Sequence, residues 1–285
     1  DWSSDVCSSD LSDGSRRRSS LVVFDHQLNR TWVVATGLDA DGERSERRRD
    51  LQLRAWIDAL NRPTTPPPTP LPVVSDPGPV TSSFTRAGFL RAVEQAQRYI
   101  RAGDIYQVNL AQRLRVPCPW TGWELFERLS SRSPAPFSAY FDSGEYQVVS
   151  SSPELFLRLS GQHVTTRPIK GTRPRGADPD QDARLAWELQ RSEKENAELV
   201  MITDLLRNDL GRICEYGSIR VPDLARLERY AHVQHLVSTV EGQLRPELGH
   251  LDALAACFPG GSITGAPKIR AMEIIDELEP VARGP

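Results

Sequence analysis

The chain has 285 residues, of which 39% are hydrophobic and 26% charged, a composition typical of a globular protein with one large or two ordinary domains. A formal net charge of −3 provides no broad basic field, which argues against a nucleic-acid partner. No stretch approaches the roughly 18 apolar residues of a membrane-spanning helix, and no charged start followed by an apolar core suggests a secretory signal. We therefore expect no membrane association and a cytoplasmic location.

The four cysteines, Cys7, Cys118, Cys214 and Cys257, form no Cys-x-x-Cys pair and have no closely spaced histidines. This pattern indicates neither a disulfide framework nor a zinc site. We predict that Cys118, Cys214 and Cys257 are packing residues.

Both ends of the sequence have unusual features. Residues 1–11 resemble the in-frame translation of a sequencing-library adapter, so we exclude them from fold reasoning. At the other end, Glu279–Pro285 stops just after a helical pattern, which suggests a reading frame cut at a contig edge. We therefore expect residues 12–61 to be the remnant of an N-terminal region and residues 81–285 to be a catalytic domain that lacks its C-terminal part.

In the N-terminal region, Leu21–Phe24 and Thr31–Thr36 are β-branched runs that predict a hairpin. Arg44–Leu60 predicts a charged helix. Proline-rich residues 62–80 predict a linker with some polyproline II character, and an ordinary surface connection explains them equally well.

The next segments alternate between strand and helix patterns. Phe89 to Ile100 has apolar residues at helical spacing, and Gly103 predicts the end of that helix. An antiparallel meander is predicted over Ile105–Leu114, Phe137–Phe141, Gln147–Ser150 and Leu155–Leu159, with Gly144 in a turn. Further elements are one or two helices in Asp178–Leu210, strands near Ser218–Val221 and His235–Leu244, and a last helix over Ala266–Leu278. The predicted class is α+β, with large antiparallel β-sheets packed as a sandwich and flanked by helices.

Lys170 lies between an apolar residue and a Gly-Thr pair, within an arginine-rich segment that runs from Thr166 to Arg175. Strand ends in a protein core seldom accept an ammonium group without a purpose. A lysine attacks carbon only as the free amine, so a nucleophilic role requires surroundings that disfavour its charge. The alternative is a surface lysine in a basic turn.

The glycine-rich segment Phe258–Lys268 leads into a helix. Glycines let the backbone approach a ligand closely, and the amides at a helix N-terminus point toward an anion. The segment matches neither the Walker nor the Rossmann pattern. It predicts a cradle for a carboxylate or phosphate, and the alternative is a plain helix-entry loop with Pro267 near the first turn.

Glu198 occurs among apolar residues, and a carboxylate in such a place needs a cation, either an arginine or a metal. Magnesium binds through one or two carboxylates together with water and substrate oxygens, so Glu198 is a candidate ligand. Arg207, Asn208 and Asp209 are interpreted as a structural network at the helix end. His235, beside a strand, is more often a satisfied core residue than a catalyst, although imidazole suits proton transfer.

Four segments, namely those around Lys170, Glu198 and His235 and the glycine-rich Phe258–Lys268, resemble in their order the chorismate-binding enzymes. Two more, Ala102–Leu110 and Ser151–Leu155, add to the resemblance. The family includes anthranilate, aminodeoxychorismate, isochorismate and salicylate synthases. The resemblance runs from Phe84 to Leu278. Lys170 resembles the nucleophile of the aminodeoxychorismate branch, at a position where anthranilate synthases usually carry alanine. Gln107 occupies the position of a lysine that activates water in isochorismate-type members, and its amide cannot act as that base.

The resemblance implies amination of chorismate to 4-amino-4-deoxychorismate, in the synthesis of para-aminobenzoate and folate. It implies Lys170 as nucleophile, Glu154 as general acid, His235 as an aid to proton transfer, and Mg²⁺ bound by Glu198. The implied substrate-binding residues are Thr172, Ser262, Thr264, Gly265, Ala266 and Gln107.

The ammonia would come from a glutamine amidotransferase subunit in a heterodimer. The alternatives are the large subunit of anthranilate synthase and a non-catalytic fragment of the family. Further segments of the family, including a second metal-binding glutamate and an arginine that pairs with a carboxylate, do not occur in the sequence. We therefore expect the chain as given to be inactive and poorly folded.

Overall fold

The computed structural model describes residues 4–7, 20–25, 28–39, 43–62, 78–230 and 232–283. These residues belong to two compact units, one drawn from Asp1–Asp76 and Trp120–Ser150 and the other from Pro77–Pro119 and Ser151–Pro285. The catalytic domain predicted over residues 81–285 thus includes a segment that belongs with the first unit. The predicted proline-rich linker lies largely outside the described residues.

The strands are β1 (Ser4–Cys7), β2 (Ser20–Asp25), β3 (Arg30–Ala35), β4 (Thr81–Ser82), β5 (Gln107–Val108), β6 (Leu114–Arg115), β7 (Phe137–Asp142), β8 (Gln147–Ser152), β9 (Leu155–Ser160), β10 (His163–Arg167), β11 (Ile169–Pro174), β12 (Arg220–Arg229), β13 (Val233–Gln243) and β14 (Gly265–Ala266). The helices are α1 (Glu46–Leu60), α2 (Arg86–Ala102), α3 (Gly122–Arg132), α4 (Pro179–Arg191), α5 (Glu193–Gly211), α6 (His250–Cys257), α7 (Gly261–Thr264) and α8 (Lys268–Leu278). Among the described residues, no helix is long and apolar enough to cross a bilayer.

In the first unit, β2 and β3 pair in an antiparallel hairpin and α1 follows, which confirms the predicted hairpin and charged helix. The backbone of β1 also pairs with β2, although it belongs to the residues that sequence reasoning set aside. Helix α3 was not predicted, yet a capping box marks its start, because Thr121 and Glu124 each accept a hydrogen bond from the other's backbone amide.

Helix α2 of the second unit ends as the sequence predicts, and it begins at Arg86, three residues before the predicted apolar pattern. The Thr85 side chain accepts a hydrogen bond from the Gly88 amide at 3.0 Å, and Gly103 ends the helix with a φ of 83°. The predicted strand Ile105–Leu114 is wrong in its extent, since only the short β5 and β6 form there. The amides of this segment instead bond to the glycine-rich loop, as described below.

The main sheet has five antiparallel strands, with β13 at its centre. Strand β12 pairs along one side of β13, and β10 and β11 pair in succession along the other. Pro168 separates β10 from β11 and its carbonyl accepts from the Ser238 amide at 3.1 Å, so the two strands form one interrupted line. Strand β9 pairs only with the β10 half of that line.

The predicted single meander is therefore wrong. Strand β8 pairs with β7 in a separate two-stranded sheet, whereas β9 belongs to the main sheet. The predicted helical region Asp178–Leu210 forms two helices, α4 and α5, which contact β11 and β13. Antiparallel sheets with packed helices confirm the α+β class.

The core of the second unit lies between the main sheet and its helices. Leu236 of β13 is fully buried against Leu189 of α4 and Leu199 of α5. Cys214 and Cys257 are buried in a neighbouring apolar cluster, which confirms their predicted packing role. Cys118 is exposed, so its prediction as a packing residue is wrong.

Candidate active site at β11 and the glycine-rich loop

Lys170 lies on β11, half-buried and directly opposite Leu236 of β13. Residues that are directly opposite each other in an antiparallel pair project to the same face of the sheet. Because Leu236 is buried against α4 and α5, Lys170 lies on the face that these helices cover. The contact between Arg173 and Glu195 of α5, at 3.7 Å, supports this assignment, because Arg173 also lies on that face.

Gly171 interrupts the regular pairing immediately after Lys170. The register shifts there by one residue, and Gly171 adopts a φ of +71°, which L side chains rarely accept. A Cβ atom at this position would lie 2.7 Å from the Leu189 Cδ1 atom and 3.1 Å from the Glu195 Cβ atom. A β-bulge with glycine is therefore what the packing of α4 and α5 against β11 requires.

The bulge places Thr172 opposite His235, on the other face of the sheet from Lys170. His235 is buried, and its Nδ1 atom lies 3.0 Å from the Thr172 Oγ1 atom. The register thus does not bring His235 and Thr172 together with Lys170. The roles of these two residues in proton transfer and substrate binding stay predictions.

A polar network continues on the His235 face. The Tyr230 ring lies 5.7 Å from the imidazole ring, and the Tyr230 hydroxyl donates to Glu228 at 2.7 Å. Glu228 also pairs with Arg167. Two causes raise the pKa of Tyr230 to about 12: burial, which is the larger, and the hydrogen bond with the Glu228 carboxylate. This network was not predicted, because its members are spread over three strands.

Glu154 immediately precedes β9 and lies next to the start of β11. Its Oε1 atom accepts a hydrogen bond from the Ser262 hydroxyl at 2.6 Å and lies 3.4 Å from the amide nitrogen of Ile169. Ile169 is the neighbour of Lys170 in the chain. The structure therefore brings Glu154 and Ser262, two residues of the predicted site, together beside the strand that carries Lys170.

The loop from Gly260 to Ala266 is held by the segment at β5. The carbonyls of Thr264 and Ala266 accept from the amides of Asn109 at 2.9 Å and Tyr106 at 2.8 Å. The Asn109 side chain also donates to the Ser262 carbonyl at 2.7 Å. Sequence reasoning did not single out Asn109, although it belongs to a segment that carries the family resemblance.

Close backbone approach explains the glycine at position 265. Gly265 pairs with Val108 and has a φ of +147°, and a Cβ atom there would lie 2.2 Å from the Gln107 carbonyl oxygen. Thr264, Gly265 and Ala266 are all buried. The side chain of Gln107 is half-buried, and among the described residues its Oε1 atom has no hydrogen-bond partner. An unsatisfied acceptor beside the loop is compatible with the predicted contact between Gln107 and a substrate.

Glu198 of α5 is less enclosed than the sequence suggested. Its side chain is 34% exposed, and the Nζ atom of Lys194, one turn earlier, lies 3.9 Å from its Oε1 atom. The described residues contain no group of three or more His, Cys, Asp or Glu side chains arranged to hold a metal. Magnesium usually takes one or two protein carboxylates and keeps several waters, so an accessible glutamate fits this ion.

A buried ion pair joins the end of α5 to the start of α8. The Nζ atom of Lys268 lies 2.6 Å from the Asp209 Oδ1 atom, and the two side chains are only 8% and 3% exposed. Burial raises the pKa of Asp209, and Lys268 opposes that effect. Sequence reasoning grouped Asp209 with Arg207 instead. Arg207 in fact pairs with Asp204 at the surface.

One feature of the sequence could have indicated this pair. A lysine in the first turn of a helix faces the positive end of the helix dipole, where a cation is unfavourable. Lys268 occupies the first residue of α8. A lysine at such a position needs an acidic partner.

Comparison with known proteins gives consistent results. The family described as chorismate binding enzyme matches residues 16–285. The chain is 48% identical to anthranilate synthase component 1 of Thermus thermophilus, over 93% of this chain and 56% of that protein. It is 40% identical to aminodeoxychorismate synthase component 1 of Bacillus subtilis, over 93% of this chain and 55% of that protein.

The fold agrees with a solved structure, that of anthranilate synthase component I from Streptococcus pneumoniae. The TM-score is 0.79 at 34% identity, over 93% of this chain and 58% of that structure. The chain thus spans little more than half the length of these relatives.

Proposed function

The chain belongs to the family of chorismate binding enzymes, and on that premise we propose that it aminates chorismate to 4-amino-4-deoxychorismate. The relatives bear the names of two different synthases, so the choice between reactions depends on the site residues. The observation that carries the proposal is the placement of Glu154 beside β11. Its carboxylate lies 3.4 Å from the Ile169 amide, next to Lys170.

In the first step, the free amine of Lys170 adds to C2 of the chorismate ring. The ring double bonds shift, and the C4 hydroxyl departs as water with a proton from Glu154. Lys170 suits this step by position, because it is half-buried on the sheet face covered by α4 and α5 and is next to Ile169, whose amide bonds to Glu154. Ser262, which donates to Glu154 at 2.6 Å, keeps the carboxyl group in position.

In the second step, ammonia adds at C4 and the double bonds shift back. The bond between C2 and the Lys170 nitrogen breaks, which releases the amine, and the Glu154 carboxylate takes the proton that the ammonia loses. Two allylic substitutions thus replace one difficult substitution. We propose that a glutamine amidotransferase subunit supplies the ammonia and that the product serves the synthesis of para-aminobenzoate and folate.

Chorismate carries two carboxylates, and we propose a place in the site for each of them. The loop at Thr264, Gly265 and Ala266 would hold one carboxylate through backbone amides. Glu198 would hold Mg²⁺, which when bound neutralises the other carboxylate and withdraws electron density from the ring. Gln107, whose side-chain oxygen is unsatisfied among the described residues, would contact the substrate between them.

The competing function is that of an anthranilate synthase. The 48% identity to the Thermus thermophilus anthranilate synthase component supports it directly. Against it stands Lys170, because elimination chemistry that gives anthranilate needs no covalent nucleophile at this position. The two reactions give different products, so analysis of the product decides between them.

The test is the variant Lys170→Ala in the longest chain that the gene encodes, with chorismate, Mg²⁺ and ammonium. We expect the wild type to form 4-amino-4-deoxychorismate and to yield a chorismate adduct at Lys170 by mass spectrometry. The variant should lose both the adduct and the product. Arg184→Ala, which removes an exposed cation of α4 that pairs only with Glu188 among the ion pairs of the described residues, should keep both. Anthranilate as the wild-type product, or an undiminished rate in Lys170→Ala, would overturn the proposal.

A further inference from the structure

The Lys268 ammonium has a complete set of acceptors inside the protein. Besides Asp209 Oδ1 at 2.6 Å, the carbonyls of Cys257 and Pro259 accept from its Nζ atom at 3.0 and 3.3 Å. An ammonium has three donors, so all of them are used. The charge is thus fully paired although the side chain is almost completely buried.

Two of the three acceptors lie just before the glycine-rich loop, since Cys257 ends α6 and Pro259 directly precedes Gly260. Lys268 lies just after the loop, as the first residue of α8. The ammonium therefore closes the loop by joining its beginning to its end. Asp209 then attaches the closed loop to α5.

Stability alone is a weak explanation for such a pair. Replacing a buried ion pair by apolar residues of similar volume is often neutral or stabilising, because two charges must be removed from water. Here the burial cost is evident in Asp209, whose second carboxylate oxygen has no hydrogen-bond partner among the described residues. A role in fixing the loop geometry explains the pair better.

The loop needs such fixing because its contacts are close. A Cβ atom at Gly261 would lie 2.4 Å from the Leu205 Cδ2 atom on α5, one turn before Asp209. A Cβ atom at Gly265 would lie similarly close, 2.2 Å from the Gln107 carbonyl oxygen. Small displacements of the loop relative to α5 would therefore produce clashes or open gaps.

Helix α5 also carries Glu198, three turns before Asp209. At 1.5 Å per residue, the two positions are about 16 Å apart along the helix axis. One rigid helix thus carries the proposed magnesium ligand near its start and anchors the proposed carboxylate loop at its end.

We propose that Asp209 and Lys268 are a positioning pair, which sets the distance between the loop-held and the metal-held carboxylates of the substrate. This inference rests on the proposed function for its substrate. Neither residue contacts the substrate; both act through the backbone of Gly260–Ala266. The pair should therefore govern the affinity for a dicarboxylate more strongly than the chemical step.

The test compares the double variant Asp209→Leu/Lys268→Met with the wild type, because the single variant Lys268→Met leaves a buried charge unpaired and could unfold. Hydrogen exchange of the Gly260–Ala266 amides is measured without substrate, and kcat and KM for chorismate are measured with Mg²⁺. We expect loop exchange to accelerate roughly tenfold or more and KM to rise by a similar factor, with kcat changing less than about threefold.

Arg207→Gln, which removes an exposed ion pair of the same helix, is the matched control and should leave exchange and KM unchanged. Wild-type loop exchange and KM in a folded double variant would overturn the inference. Global unfolding of the double variant would also overturn it, since the pair would then serve overall stability. If no chain turns over chorismate, the proposed function fails, and the exchange measurement still decides the positioning role.

Discussion

The Ser262 hydroxyl donates to the Glu154 carboxylate across 2.6 Å, although 108 residues separate the two in the chain. This bond joins the glycine-rich loop to the sheet at the edge where Lys170 lies. The Ser262 hydroxyl and the Ile169 amide both bond to Oε1, so the other carboxylate oxygen stays available for the proposed proton transfer. The bond should therefore affect the chemistry directly.

Ser262→Ala should reduce catalysis without unfolding the protein. A hydrogen bond to a charged group contributes about 1.5–3 kcal/mol, so we expect kcat/KM for chorismate to fall about 10- to 100-fold. Product formation followed by HPLC checks this. Ser131→Ala, which removes a hydroxyl bonded to a helix carbonyl in the first unit, is the control and should leave the rate unchanged. An unaltered kcat/KM in Ser262→Ala would show that the hydrogen bond between Ser262 and Glu154 does not contribute to catalysis.

Glu198→Gln should weaken the dependence of chorismate binding on Mg²⁺. The amide keeps the size of the side chain but removes the negative charge that a hard cation prefers. We expect the Mg²⁺ concentration at half-maximal binding to rise roughly tenfold or more, measured by isothermal titration. Glu193→Gln, an exposed residue in the first turn of the same helix, should cause no such rise. If both variants need the same Mg²⁺ concentration for half-maximal chorismate binding, Glu198 is not a magnesium ligand.

Gly171→Ala should destabilise the second unit strongly. The new methyl group combines a left-handed backbone with a 2.7 Å approach to the Leu189 side chain, so we expect a loss of about 2–5 kcal/mol in the free energy of unfolding. Gly217→Ala is a matched control, since its φ is +79° with no atom within 4 Å of the added carbon. The Gly217→Ala variant should lose only about 1–2 kcal/mol in the free energy of unfolding. Urea denaturation measures the free energy of unfolding of both variants. Equal losses in the two variants would show that the Leu189 side chain moves away from the added methyl group at little cost, which would contradict the prediction.

The ion pair between Arg175 and Asp182 should make stability depend on pH in the acid range. Hydrogen bonds from the Arg175 guanidinium and the Gly176 amide lower the pKa of Asp182 from 3.8 to about 2. Because the pKa in the folded state is depressed, the stabilisation is present above about pH 4 and is lost as the pH falls through about 2.

Asp182→Asn should accordingly be less stable than the wild type at pH 6, and the difference should vanish toward pH 2. Urea midpoints at several pH values check this. Asp180→Asn, on the exposed side of the same helical turn, should differ little from the wild type. A difference for Asp182→Asn that stays constant from pH 6 to pH 2 would contradict the assignment.

Local signals in the sequence predicted much of the fold. The end of helix α2 was predicted because Gly103 acts through contacts within a few residues, whereas its N-cap, Thr85, was not predicted. The same kind of signal, Thr121 with Glu124, marked α3 and was overlooked. The extent of the segment after Gly103 could not be predicted, because its amides bond to a loop more than 150 residues away.

The sequence predicted the individual residues of the candidate site better than their arrangement in space. Lys170, Glu154 and Ser262 were identified through motifs, and the structure brings Glu154 and Ser262 together beside the β11 strand that carries Lys170. The bulge at Gly171 places Thr172 on the opposite face from Lys170, and no periodicity reveals a bulge of one residue. The pairing of Asp209 with Lys268 likewise depends on the packing of two distant helices.

On the proposed function, helix α5 joins the magnesium ligand Glu198 to the loop anchor Asp209 through one uninterrupted helix. Inserting or deleting a single residue between Glu198 and Asp209 would rotate one end by about 100° relative to the other. Either the cation ligand or the anchor would then turn away from its target, even if the hydrophobic stripe adapted. On the proposed function, a change in the length of this stretch should therefore be tolerated far less well than replacements of its exposed side chains.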